Sequence, residues 1–251
     1  MAEFAIEFNP EQMIGKLNDL QKLVIPKAAE MALNETAFAI REQMKQEIKD
    51  VFYKPVPLTI NSTLYKKASG DQQQLQTTIF IRDDVPKGNA PSRYLNSQIN
   101  GGLAYRTRFA KKLGNMADPD ETGGNAPILA PNRVMVPAIG SKNVRLNQYG
   151  NMSPGQFTQI IAALENSSSA GGGSWQGKGG VNYVYFNQTM VDEKRLRNTK
   201  PGIFRLKGRE LSRVMTEIPT PTNTGKFKFF DIGRQIAEIE FPRRFFERII
   251  L

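Results

Sequence analysis

The side chains that do chemistry near neutral pH are unevenly supplied in this chain. It has no Cys and no His, which removes disulfides, thiol nucleophiles, histidine-based triads and nearly every zinc site. Carboxylates remain, in three clusters: Asp83 with Asp84, Asp118 with Asp120 and Glu121, and Asp192 with Glu193. Paired carboxylates hold Mg²⁺ or divide acid and base roles. Each cluster stands in a Pro/Gly-rich or charged stretch, where a solvated loop is the simpler reading. Spacing alone leaves a Ser–Lys dyad open, although no S-x-x-K stands in an apolar strand–helix context. The glycine-rich places, Gly101 with Gly102 and residues 171–180, fit neither the P-loop nor the dinucleotide fingerprint. The expectation is a protein without catalysis, cofactor or metal.

Binding is the chemistry left. The 251 residues carry a net charge of +10. Residues 194–251 hold 14 Lys and Arg against 6 Asp and Glu, so most of the excess lies there. Arg106, Arg108, Lys111 and Lys112 form one basic group and Arg243 with Arg244 another. Such surfaces seek nucleic acid, an anionic membrane or an acidic protein. They neutralise phosphates without reading sequence; the alternative is a solvated charged face.

The elements that must position these groups follow from periodicity. Asn9 and Pro10 open a first helix with Met13, Leu17 and Leu20 as its stripe. After Pro26, Leu33, Ala37, Ile40, Met44, Ile48 and Phe52 recur at three- and four-residue spacing. That pattern predicts a helix of roughly 25 residues, about 38 Å long, ended by Pro55 and Pro57, with Glu35, Arg41, Glu42, Lys45, Gln46 and Lys49 on the wet face. Residues 62–68 and 75–82 read as a β-hairpin. A basic helix is expected over 104–116, a loop over 118–132, and a short strand at 133–137. The Ser/Gly-rich stretch 166–180 reads as a flexible loop. Residues 181–187 make a strand, and 202–207 with 211–218 a second hairpin around Gly208. A final helix over 227–251 would turn Phe230, Ile232, Ile236, Ile239, Phe245 and Ile249 inward and be kinked or split at Pro242. No apolar run approaches the ~18–20 residues that span a bilayer, and the acidic start MAEFAIEF does not read as a secretory signal. The length suits one large domain or two small ones, and the chain is read as a single domain with flexible loops at 118–132 and 166–180.

Residues 146–164, LNQYGNMSPGQFTQIIAAL, carry the densest local instructions. Gly150 and Asn151 tolerate positive φ. Ser153 is an N-cap, Pro154 fits the first helical position, and Gln156 stands where a capping box wants it. Phe157, Ile160, Ile161 and Leu164 then share one face. Tyr149, Gly150 and Asn151 at the turn are candidate contact residues.

The stretch IPKAAEMALNETAFAIREQM (25–44) resembles the N-terminal helix of the phage minor tail protein Z and tail-completion (head–tail joining) family. YLNSQINGG, YGNMSPGQ, PGIF and FFDIGRQIAEIEFPRRFFERI resemble prophage-encoded members of that group. The Ser/Gly-rich 166–180 stretch departs from it. The resemblance implies an α+β fold, a long N-terminal helix packed on a small twisted antiparallel sheet, with further helices in mid-chain and at the C-terminus. The order of elements read above fits that. It also implies a structural virion protein of the neck or top of the tail. Such a protein forms a homo-oligomeric, six-fold ring around the DNA path, contacts portal- or adaptor-side and tail-side proteins, and assembles in the bacterial cytoplasm. A sequence-independent nucleic-acid-binding protein and a minor capsid protein are the alternatives.

Overall fold

The structure, a computed structural model, describes residues 20–69, 75–86, 88–116, 127–169, 181–187, 200–208 and 210–250. The expected helix after Asn9 lies outside these residues, except its last position, Leu20, which opens a π-helical turn, Leu20–Val24. So do most of the loops expected at 118–132 and 166–180. The fold is mixed α+β, and the chain divides into two compact units. One runs to Asp84 and resumes at Phe227; the other is Val85–Lys226.

In the first unit the π-helical turn leads into α1, Ile25–Val51, with Pro26 in its first turn. Ala28, Ala32, Thr36, Ile40, Met44 and Ile48 are buried, one every four residues. A four-residue step overshoots the 3.6-residue turn by about 40°, so the stripe winds about 200° around the helix over five steps. It therefore serves more than one partner. One is the hairpin of β1, Thr63–Lys66, and β2, Thr78–Ile81, paired Thr63 to Ile81. A four-residue helix, α2 (Pro57–Ile60), precedes that hairpin. Asn34 clamps the hairpin by donating to the Ala68 carbonyl at 3.1 Å and accepting from the Ala68 amide at 2.8 Å.

The other partner is the C-terminal helix, Phe229–Ile250. The two helices are antiparallel, since Phe52 packs edge-on against Phe227 while Glu35 meets Arg244 and Arg248. The helix is continuous through Pro242, not split there. Only one backbone hydrogen bond is lost at that site, and the surrounding turns bridge it. Phe230 and Ile239, expected inward, are 62% and 68% exposed. Ile232, Ile236, Phe245 and Ile249, also expected inward, are half-buried, as are Gly233, Ala237 and Arg244. Glu35, expected in water, is half-buried in ion pairs.

In the second unit, α3 (Pro91–Asn100) occupies a stretch without an expected helix. The basic helix, α4, is shorter than expected at Arg108–Gly114, because Thr107 caps it by accepting from the Ala110 amide at 3.2 Å. Gly102–Leu103 (β3) pairs with Thr222–Asn223 (β8). The main sheet has the order β4–β7–β6–β5, antiparallel throughout, from Arg133–Pro137 (β4), Glu210–Pro219 (β7), Gly202–Lys207 (β6) and Val181–Phe186 (β5). A bulge between β6 and β7 pairs Ile203 with Met215 but Phe204 with Arg213. Val214 is the extra residue, and both it and Met215 are buried. The fifth helix, α5 (Pro154–Ser169), supplies Ile160, Ala163 and Leu164 to the core. Ile128 and Leu129, expected in a loop, are fully buried there beside Leu113 of α4. The C-terminal helix of the first unit is numbered α6.

Candidate interaction surface

The stretch between β4 and α5 forms a fixed corner. Leu146 and Met152 face one another in an antiparallel bridge. The Asn147 amide donates to the Asn151 carbonyl at 2.8 Å, and Gly150 donates back to the Asn147 carbonyl at 2.9 Å. The Asn147 side-chain oxygen accepts from the amides of Tyr149 and Asn151, each at 3.0 Å. Gly150 has φ +77°, and a Cβ there would meet nothing within 4 Å. Asn151, expected to share the left-handed region, does not enter it; among described non-glycine residues Lys54 alone has positive φ. Gln148, Gly150 and Asn151 are exposed and Tyr149 is half-buried. Met152, 3% exposed, pins the base of the turn in the core.

The cap differs from the expected capping box. Ser153 Oγ accepts from the Gln156 amide at 3.3 Å, as an N-cap should. The Gln156 side chain does not return to the Ser153 amide, which already donates to the Arg145 carbonyl at 3.1 Å. It is 5% exposed, accepts from the Arg145 amide at 3.0 Å and donates to the Asn143 carbonyl at 2.7 Å. The side chain of Asn143 in turn donates to Ser212 Oγ and accepts from Arg205, both at 2.6 Å, tying the corner to β7 and β6. The same segment exposes apolar Ile139 (90%) and Leu146 (41%).

The basic candidates separate by partner. Arg106 turns inward and donates to the Ala110 carbonyl at 3.2 Å and the Leu129 carbonyl at 3.5 Å, so it braces α4. Lys112 pairs with Glu165 at 2.7 Å. Arg243 pairs with Glu240 at 2.6 Å and Glu247 at 2.7 Å; Arg244 pairs with Glu240 at 2.8 Å and Glu35 at 3.3 Å. The hydrogen bond from Arg243 is the largest influence and, together with the bond from Arg244 and the charges of both, outweighs desolvation and holds the Glu240 carboxyl below its ordinary range. Arg108 and Lys111 are exposed. Lys111 Nζ lies 4.8 Å from the Tyr105 ring centroid and 3.5 Å from its hydroxyl oxygen. Arg93, unremarked in the sequence, hydrogen-bonds the same phenol.

A buried carboxylate also escaped sequence reading. Glu217 on β7, 9% exposed, is ion-paired to Arg133 of β4 and accepts from the Tyr185 hydroxyl of β5 at 2.7 Å. Both its oxygens are satisfied, which makes it a brace across the sheet. Asp83 and Asp84 are exposed, and the other two acidic clusters lie outside the described residues. Among the described residues no group of three or more carboxylates could hold a metal, and no helix is long and apolar enough to cross a membrane. No protein-family model, no curated protein and no solved structure matches this chain.

Proposed function

We propose that this chain is a non-catalytic structural subunit of a tailed-phage neck, a tail-completion or head–tail joining protein that closes into a homo-oligomeric ring around the DNA path. The observation that carries the reading is the corner at 143–156, the stretch of most specific resemblance to that family. Four of its five tip residues are exposed, while its backbone is tied internally and its base is tied to the sheet. A pre-ordered tip meets a neighbour with little further loss of conformational entropy.

A head-to-tail ring joins each subunit to two neighbours through two different faces. Ile139 and Leu146 beside the corner offer apolar surface for one contact, and the outer face of α6, with Ile239 and Phe246, offers it for the other. The remaining contacts run to portal-side and tail-side proteins, and the protein resides in the virion. Arg243 and Arg244 already serve intrachain carboxylates, so electrostatic contact with a neighbour through them would compete with those pairs.

Labelling the protein in assembled particles tests the reading. A single label at the unique portal vertex is expected, and label spread across the shell would refute it. Native mass measurement of the purified chain with its neck partners should give a closed ring, six copies on the family resemblance; a monomer in every mixture would refute the ring.

A further inference from the structure

The intrachain ion pairs sort the cations of this molecule into those spent and those available. Lys112, Arg243, Arg244 and Arg248 each meet a carboxylate, and Arg106 is consumed by backbone carbonyls. Arg93, Arg108 and Lys111 are exposed and meet no carboxylate among the described residues. They are also gathered. Lys111 and Arg93 both hydrogen-bond the phenol oxygen of Tyr105, in the segment that leads from β3 into α4. The Arg108 amide lies 3.4 Å from the side-chain oxygen of Asn89, two residues before α3 and four before Arg93.

We propose that Arg93, Tyr105, Arg108 and Lys111 form a phosphodiester-binding surface that takes the backbone of duplex DNA without reading its sequence. Two cations drawn to one neutral oxygen repel each other, and a bound anion relieves that repulsion. The same two cations act on the Tyr105 phenol. Partial burial pushes its pKa up, but the hydrogen bonds and charges of Arg93 and Lys111 outweigh this and leave it below the ordinary tyrosine value. The chemistry fits phosphate: Arg93 and Arg108 present planar forks, Lys111 a point charge, and Tyr105 a hydroxyl. Duplex DNA offers one charge per ~1.7 Å of axis, a density three grouped cations can exploit together. The chain's +10 charge adds long-range attraction to any polyanion. Nothing in this inference depends on ring assembly.

Fluorescence anisotropy of the full chain with a labelled, mixed-sequence duplex of roughly 20 base pairs reads the interaction. For three phosphates the salt slope is about 2.7, so affinity should fall about 40-fold between about 50 and about 200 mM salt. Removing all three charges (R93Q/R108Q/K111Q) should reduce that slope by about 2.7 and weaken binding at least about tenfold. The control K49Q/K228Q/R234Q removes the same charge from exposed sites of the first unit and should cost less than about threefold. Circular dichroism monitors the fold. If the triple variant fails to fold, Arg93→Gln and Lys111→Gln alone should each lower the slope by about 0.9. Equal losses in variant and control would reduce the effect to net charge and overturn the assignment, as would no duplex binding at low salt. A glutamate-rich peptide bound through the same residues, with the duplex ignored, would overturn it in favour of an acidic protein partner.

Discussion

Replacing Gln156 tests whether the corner is held by the side-chain network described. In Gln156→Ala the Arg145 amide loses its acceptor and the Asn143 carbonyl loses its donor. A buried backbone group left unpaired costs about 1–3 kcal/mol, and one lost buried methylene adds about 0.8 kcal/mol. Arg145 is exposed, so its amide recovers a hydrogen bond from water and adds little to that cost. The expected total is about 2–4 kcal/mol. With a urea m-value of about 2 kcal/mol/M, that moves the midpoint of the transition containing the second unit down by about 1–2 M. Amide exchange should locate the damage, with Asn147, Asn151 and Ser153 losing protection before the strands of the sheet. Gln156→Glu separates the two bonds. A carboxylate still accepts from the Arg145 amide but sets a lone pair against the Asn143 carbonyl. Its folded pKa is therefore raised above the usual value of about 4.3. The folded state then binds the proton more readily than the unfolded one, so this variant should gain stability as pH falls toward 4 and lose it as pH rises. A midpoint shift for Gln156→Ala below about 0.3 M, or a Gln156→Glu variant with the parent's pH profile, would refute the network as the anchor.

Three further outcomes are expected. A Cβ at Gly202 would lie 2.1 Å from the Met215 carbonyl oxygen and 3.1 Å from Thr216 Cα, so Gly202→Ala must push β6 from β7. It should cost more than about 4 kcal/mol; a melting temperature lowered by less than about 4 °C would contradict the close approach. Gly150→Val places a β-branched residue at φ +77° in open space, so strain of about 1–2 kcal/mol is the whole cost to the subunit. Ring formation measured by native mass should suffer far more, and equal losses would leave the corner with a scaffolding role only. Glu240, whose folded pKa is depressed chiefly by Arg243, contributes stability above its unfolded value that is lost as pH falls through its folded one. Glu240→Gln should accordingly flatten the acid limb of a helix-content titration, and an unchanged limb would show the pair to be idle.

The features legible in the sequence are those set by short-range rules. The three- and four-residue recurrence from Leu33 to Phe52 marks α1, and alternation with a central Gly208 marks the β6–β7 hairpin. The helix α3 was missed because PSRYLNSQIN is mostly polar, although Pro91 at its start and the Leu95–Ile99 spacing were usable signals. Phe230 and Ile239 were placed inward because apolar residues recur around most of α6, whereas only the side toward α1 is covered. Periodicity reports which residues are apolar, and a helix with one partner leaves some of them outside. The same limit applies to the charged candidates. Composition counts cations but not their partners, and the carboxylate that meets Arg248 stands 213 residues away at Glu35.

The corner shows where local rules stop. Its turn, N-cap and helix start are written within a dozen residues, and all three form. The role of Gln156 is not local, because the Ser153 amide it was expected to satisfy is taken by Arg145, as the hairpin register dictates. Displaced from the cap, Gln156 reaches Asn143, and through Asn143 the corner is fastened to Ser212 and Arg205. The consequence is energetic. Ordering a free five-residue tip on contact would cost about 1–2 kcal/mol per residue. A tip already closed by Asn147 avoids most of that, so in the proposed ring a modest contact through Tyr149 and its neighbours would suffice to join subunits. There the saving would recur at every interface, which would make rigidity at one polar turn worth its internal hydrogen bonds on a surface where water would otherwise satisfy them.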